Sequence, residues 1–309
     1  MTDLDELSPA DAGHELREQI RRASNNQRAR RVLVSRIMMT LCAVAIAIAV
    51  IPLGFLVYQL LRRGIPVLST TFFTKVPESP SVVAPNAIGG VSNAIIGSLA
   101  LNLYASIMAI PIGILTGVYL AESDSKLAAT MRVIAQTMAG APSILMGLFA
   151  FSLFVQDFRI GFTALDGSFA LAVLMLPVIA ISSEISVRNV PATLREAGLA
   201  LGAKPHTISM RVVLPTALSG IVTGVILALS RAVGETAPVL LVIGGGYLNT
   251  WKPLDPVSAL PLMIYTNAKS EYPSLRAEVW GIALVLVAVV FVLSLGARIW
   301  ASRKQQVRT

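Results

Sequence analysis

Apolar residues in this 309-residue chain fall into long runs separated by short polar stretches. Several runs are long enough to cross a hydrocarbon core of roughly 30 Å as helices. The pattern predicts spanning helices over residues 37–61, 93–120, 133–155, 168–187, 215–243 and 279–299. Pro52 is a possible kink in the first, and Arg62 and Arg63 close it. Pro111, Pro142 and Pro177 are expected to bend the helices that hold them. The stretch 257–268 is apolar but too short to span, and reads as a re-entrant or interfacial piece. Residues 62–90 are rich in proline, serine and threonine and predict an exposed, irregular connection.

Composition strengthens this picture. Apolar residues make up 55% of the chain and charged residues only 14%, against about 25% charged in an ordinary soluble domain. A soluble enzyme, a disordered chain and a disulfide scaffold are thereby excluded. The lone Cys42 lies inside the first apolar run and reads as a small buried hydrophobe. Two histidines, His14 and His206, offer little material for a metal site or a histidine-based acid–base centre.

The net charge of +8 could suggest nucleic acid, but its distribution points to membrane topology. With six spans, seventeen Lys and Arg fall on the side of the two tails, counting Arg298 at the end of the last span, and seven fall opposite. That bias places both termini in the cytoplasm. The resulting plan is all-α and polytopic: a cytoplasmic tail over 1–36, a first span over 37–61 and an external connection over 62–90. A core over 91–300 follows, with a cytoplasmic loop over 188–212, and the chain ends in a short tail over 301–309. The basic stretch at 28–36 suits attraction to anionic lipid. No internal repeat is visible, which weakens an inverted-repeat secondary transporter.

Two segments carry candidate chemistry. The first reads Glu196-Ala197-Gly198, three residues, Gly202, nine residues, Val212, Val213, Leu214-Pro215. A short helix after Pro191, a glycine-permitted turn and a second helix entering the membrane at Pro215 would give this spacing. Such a helix offers a partner a compact, partly apolar knob. The second segment is Ser230-Arg231-Ala232-Val233-Gly234-Glu235-Thr236-Ala237-Pro238. Arg231 would lie about 24 Å along a helix starting at Pro215. An ionised arginine at that depth costs at least about 2.5–3.5 kcal/mol, so it needs a partner or a wet path. Glu235, four residues on, shares its face and can offset the cost. The pair is either a structural ion pair that orients helices or a fork of donors for a passing oxyanion. Gly234 and Pro238 would loosen the helix there. Glu184 and Arg188 form another i,i+4 pair near a helix end. The spacings Gly113-xxx-Gly117 and Gly220-xxx-Gly224 permit close helix contact.

The first segment resembles the "EAA" loop of ATP-binding-cassette importer permeases: Glu-Ala-Ala, three residues, Gly, nine residues, Ile, one residue, Leu-Pro. It departs at Gly198 and Val212. The resemblance implies that Glu196, Ala197, Gly198, Gly202, Leu214 and Pro215 form the docking element for a nucleotide-binding subunit. The chain has no phosphate-cradling Gly-x4-Gly-Lys-Ser/Thr of its own: Gly198 to Lys204 fails on spacing, and Pro205 stands where a hydroxyl is needed. ATP and magnesium would therefore be bound by the partner ATPase, and this chain would hold no cofactor and no metal.

The second segment is similar to phosphate importer permeases, and Thr-Ala-Pro-Val-Leu-Leu favours their PstA-type subunit. Further matches are Gly89 to Ile95, Ala141 to Ile144, Leu176 to Ile179 and Leu260 to Tyr265. The resemblance implies a type I importer permease fold in a bacterial plasma membrane, with a PstC-type permease, an ATPase pair and an external phosphate-binding protein as partners. It puts Arg231 and Glu235 on the phosphate path, and Glu184 more weakly. Some relatives carry an arginine three residues before that glutamate, where this chain has Ile181; Arg188 could take its place. The neighbouring alternatives are a sulfate or molybdate permease and, further off, a secondary transporter. An intramembrane enzyme lacks material: no histidine falls in a predicted span and no His-Glu-x-x-His occurs.

Overall fold

The computed structural model describes residues 9–78 and 89–306, which are helical throughout apart from turns and connections. The chain divides into two units between Gln59 and Leu60. The first holds most of α1 (Pro9–Gly64), with Pro52 inside it. From Val32 to Tyr58 its large apolar side chains lie exposed. A helix that is apolar all round, with every interior backbone group bonded along its own axis, suits lipid and not water. Cys42 is exposed on this helix and is not a buried core residue; it shares that exposure with the large apolar side chains around it. His14 falls in the same helix and His206 in a short one, both outside the apolar runs.

The second unit begins with the end of α1. A 3-10 turn at Ile65–Val67 and the short α2 (Thr70–Thr74) follow. Residues 62–78 are therefore more ordered than an irregular connection: Ser69 caps α2 by accepting from the Phe72 amide at 3.2 Å, and Phe72 is fully buried. The remainder of that predicted connection, 79–88, lies outside the described residues.

Next come α3 (Ser92–Glu122), α4 (Lys126–Gly140), α5 (Ser143–Ala150) continued as a π-helical turn over Phe151–Asp157, and α6 (Ala164–Arg188). Then follow α7 (Ala192–Ala200), α8 (Pro205–Ile208), a π-helical turn at Ser209–Val213, and α9 (Leu214–Gly234). The chain closes with α10 (Ala237–Val242), α11 (Leu260–Ala268) and α12 (Pro273–Gln306). Among the described residues, five helices are long and apolar enough to cross a membrane, or six if α4 and α5 with its continuation count as one broken span.

Two predicted spans are interrupted. The expected helix over 133–155 is a pair bent by 104° at Ala141-Pro142. Pro142 has no amide to donate, and its ring pushes Ala141 to an extended ψ of 143°. The expected helix over 215–243 stops at Gly234, and Glu235 takes an extended conformation (φ −76°, ψ 124°). Pro111 and Pro177, by contrast, lie inside helices that continue through them.

α6 is the centre of this unit. Two-thirds of its apolar stretch is buried, against a third or less in each other span. Its packing is close because both neighbours present glycine. Gly113 and Gly117 of α3 face Ile179, Ala180 and Ser183; a Cβ at Gly117 would lie 2.5 Å from the Ala180 carbonyl oxygen. On α9, a Cβ at Gly220 or Gly224 would lie 2.4 or 2.3 Å from side-chain atoms of Ser186 or Ser182. Without a hydrophobic drive between helices in lipid, such backbone approach is what van der Waals packing needs. Elsewhere Arg63 stacks over the Trp280 ring at 5.0 Å, and Ser98 accepts from the first amide of α11 at 2.8 Å.

Candidate functional site

Residues 191–215 fold as a compact elbow. Pro191 starts α7 from an extended conformation (φ −53°, ψ 135°), and Gly202 turns the chain at φ +76°. Few residues other than glycine hold that φ without strain. The chain is helical again from Pro205 and passes through the π-helical turn into α9, so the second helix starts before Pro215. Glu196 and Ala197 are exposed on α7, and Leu201 stands 88% exposed at the tip. Gly198 instead faces inward: a Cβ there would meet the Ile208 side chain at 2.9 Å. The glycine that departs from the EAA pattern thus lets α7 lie closer to α8. Beneath the elbow Val187, Val190, Ile208, Val213, Ala217 and Ile221 form one apolar cluster, with Val212 and Leu214 at its edge.

The elbow is also fastened to α3, whose last residue is Glu122. Its Oε1 accepts from Arg195 of α7, and its Oε2 accepts from the Ser209 hydroxyl at 2.7 Å. Arg195 also donates to the Val187 carbonyl of α6 at 3.3 Å.

Glu184 is the second centre. Its side chain is 8% exposed, and one carboxylate oxygen accepts from two guanidinium groups: Arg188 at 3.0 Å and Arg132 of α4 at 2.7 Å. Both arginines donate again to the Leu120 carbonyl of α3, at 2.8 Å from Arg132 and 3.1 Å from Arg188. A cation that satisfies a helix's terminal carbonyl also opposes the negative end of its dipole. The i,i+4 pair expected at 184 and 188 is thus one side of a cluster joining α3, α4 and α6.

Arg231 and Glu235 pair at 3.2 Å between Nε and Oε1. They do so across the end of α9 and not along a continuous helical face, because Glu235 lies beyond the last helical residue. Arg231 remains 44% exposed and Glu235 18%. The arginine shares an exposed stripe of α9 with Thr216, Thr223, Leu227 and Gly234, and a Cβ at Gly234 would meet nothing within 4 Å.

Among the described residues, Glu184 shares no hydrogen bond or ion pair with the other two predicted path residues, Arg231 and Glu235. Glu184 is held by Arg132 and Arg188, while Arg231 bonds, among the described residues, to Glu235 alone. Sequence reading missed Arg132, Glu122, Arg195 and Ser209. Arg132 and Arg195 entered it only among the counted loop charges.

Among the described residues, helices long enough to span a membrane, packed through small residues and carrying an exposed two-helix elbow, define a polytopic membrane protein. Residues 109–305 match the family described as "Binding-protein-dependent transport system inner membrane component". The chain belongs to that family and, within it, to the PstA-type phosphate transport permeases. It is 34% identical over 273 residues to the phosphate transport system permease protein PstA of Haemophilus influenzae, covering 88% of this chain and 95% of that one. It is also 34% identical over 283 residues to PstA 1 of Mycobacterium tuberculosis, covering 90% and 91%. In fold it is similar to a chain of the MetNI methionine ABC transporter solved in inward-facing conformations. The TM-score is 0.54 and the identity 22%, over 69% of this chain and 94% of that one.

Proposed function

We propose that this chain is one permease subunit of an ATP-driven importer of inorganic phosphate, forming the path together with a PstC-type permease. What supports the substrate most is its identity to PstA permeases over nearly the whole chain. The geometry is compatible: an arginine inside a spanning helix is half-exposed on a stripe of exposed residues. A second permease laid against that stripe would enclose Arg231 in a shared path. Its planar fork matches an oxyanion in two hydrogen bonds, while Glu235 keeps the cation paired between passages. Weak holding suits a permease, since a tight site would trap its cargo. Glu184 joins this path only as a residue that sets the position of α6.

The exposed elbow, with Glu196, Ala197 and Leu201 outward, docks on a cytoplasmic ATPase pair, and Gly198, Gly202, Leu214 and Pro215 give it its shape. Both termini are then cytoplasmic, in a bacterial plasma membrane, and an external binding protein delivers phosphate from the other side. The chain itself is not catalytic; ATP and magnesium are bound by the ATPase. ATP-driven closure of that pair moves the elbow and, with it, α6 and α9. Each state must make different contacts with ligand or nucleotide, or no shift in population follows.

Labelled phosphate uptake in cells lacking the chain, complemented with wild type, Arg231→Ala or Glu196→Ala, tests this reading. Wild type should restore uptake that sulfate and molybdate do not inhibit. Each variant should assemble, and uptake should fall by at least tenfold, a loss of about 1.4 kcal/mol in the rate-limiting barrier. Competition by either oxyanion overturns the substrate.

A further inference from the structure

We infer that Glu122 is the positioning residue that makes α3 follow the elbow, so that loop motion becomes motion of the membrane helices. The inference rests on the proposed coupling role of residues 191–213. Glu122 closes α3, a 31-residue helix packed against α6 through Gly113 and Gly117. Its two oxygens take partners from opposite sides of the elbow: Arg195 comes from α7 before the Gly202 turn, and Ser209 opens the π-helical turn after it. The carboxylate therefore reads the elbow as a unit. Arg195 extends the tie to the Val187 carbonyl at the end of α6, and the segment begun by Ser209 runs directly into α9, which carries Arg231.

The alternative, an incidental surface pair, fits the arrangement less well. Glu122 and Arg195 keep side-chain exposures of only 27% and 29%. Ser209 has one proton, and the Glu122 oxygen at 2.7 Å is closer than its other acceptor, the Pro205 carbonyl at 3.2 Å. The apolar cluster beneath holds Ile208 and Val213 against Val187, with Val118 and Ala121 of α3 packed on it. Apolar packing alone can slide, whereas a carboxylate bonded on both oxygens resists it. By contrast, Glu196, next in sequence to Arg195, is exposed and forms no bond among the described residues, leaving it for the ATPase.

The test uses the assembled importer in proteoliposomes with ATP inside the ATPase compartment and inorganic phosphate as cargo. Glu122→Ala and the shape-preserving Glu122→Gln should assemble and hydrolyse ATP, yet move about tenfold less phosphate per ATP, within the usual range for a lost coupling contact. Glu122→Arg should uncouple further, and Glu122→Arg with Arg195→Glu should recover most of the ratio. A purely structural contact would lower assembly without changing that ratio. A second readout does not depend on cargo: spin labels at Leu115 on α3 and Thr193 on α7, in a Cys42→Ser background. Their separation should stay constant between nucleotide-free and ATP-bound states of wild type, and change in Glu122→Ala. An unchanged phosphate-to-ATP ratio in Glu122→Ala, or a constant label distance in it, overturns the inference. If wild type moves no phosphate, the substrate reading fails, and the label distances still decide on Glu122.

Discussion

Glu184 and Glu235 each sit four residues from an arginine, yet the fold treats them in opposite ways. Glu184 is nearly buried, shared by two guanidinium groups, and both of those are anchored again on the Leu120 carbonyl. Glu235 has one partner among the described residues, lies past the end of its helix, and leaves Arg231 half-exposed beside a glycine with open space. One arrangement fixes three helices against one another, and the other keeps a cation available. Spacing alone says that two side chains can meet. Whether the meeting becomes a structural joint or a site depends on what other elements bring to it.

The sharpest way to break this contrast is to remove each carboxylate. Glu184→Ala takes from Arg132 and Arg188, 29% and 47% exposed, the nearly buried carboxylate they share. Two charge-assisted hydrogen bonds are lost at once, which costs about 3 kcal/mol. Glu235→Ala should cost under about 1 kcal/mol, as for exposed pairs. Thermal unfolding midpoints of the purified importer in detergent would compare them, and equal shifts would end the distinction. Arg132→Ala should fall between, at about 2 kcal/mol, because Glu184 keeps Arg188 while losing one charge-assisted bond.

How much of this was readable before the fold is clearest from the same residues. Apolar runs located α3 and α6 within a few residues and found the middle of α12, which extends six and seven residues beyond its run, because the need to bury or bond the backbone in lipid is written into composition. Apolarity continues across Pro142 and Gly234 and carries no record of direction, so a bend was expected at the first and a loosening at the second, but not a 104° break or the end of α9. The elbow was legible because its proline, glycine and spacing are local. The Glu184–Arg132 and Glu122–Arg195 contacts span 52 and 73 residues. Contacts at that range leave no spacing to read, so Arg132 counted only toward topology.

The helix contacts that place the two clusters can be tested at the next smaller scale. Gly117→Val should force α3 away from α6, since its Cβ alone would lie 2.5 Å from both the Ala180 carbonyl oxygen and the Ser183 Cβ. Overpacking of this kind costs about 1–3 kcal/mol, and should also loosen the hold of Leu120 on Arg132. Cross-linking yield between α3 and α6, read together with the unfolding midpoint, checks it.

The smallest effect on stability is expected where the cation is free to work. Arg231→Lys keeps the charge and an apolar stem, so the unfolding midpoint should move by less than about 0.5 kcal/mol, as for most changes away from buried features. What it removes is the planar fork, and lysine cannot offer a passing oxyanion two parallel bonds from one group. Phosphate uptake per ATP should therefore fall while stability holds. Arg188→Lys should do the reverse, because that guanidinium bridges Glu184 and the Leu120 carbonyl with two different nitrogens. If the same conservative exchange harms transport at 231 and stability at 188, the two arginines are separated by function and not only by place. If both variants lose stability alike, Arg231 is a structural partner of Glu235, and the path must be sought elsewhere on α9.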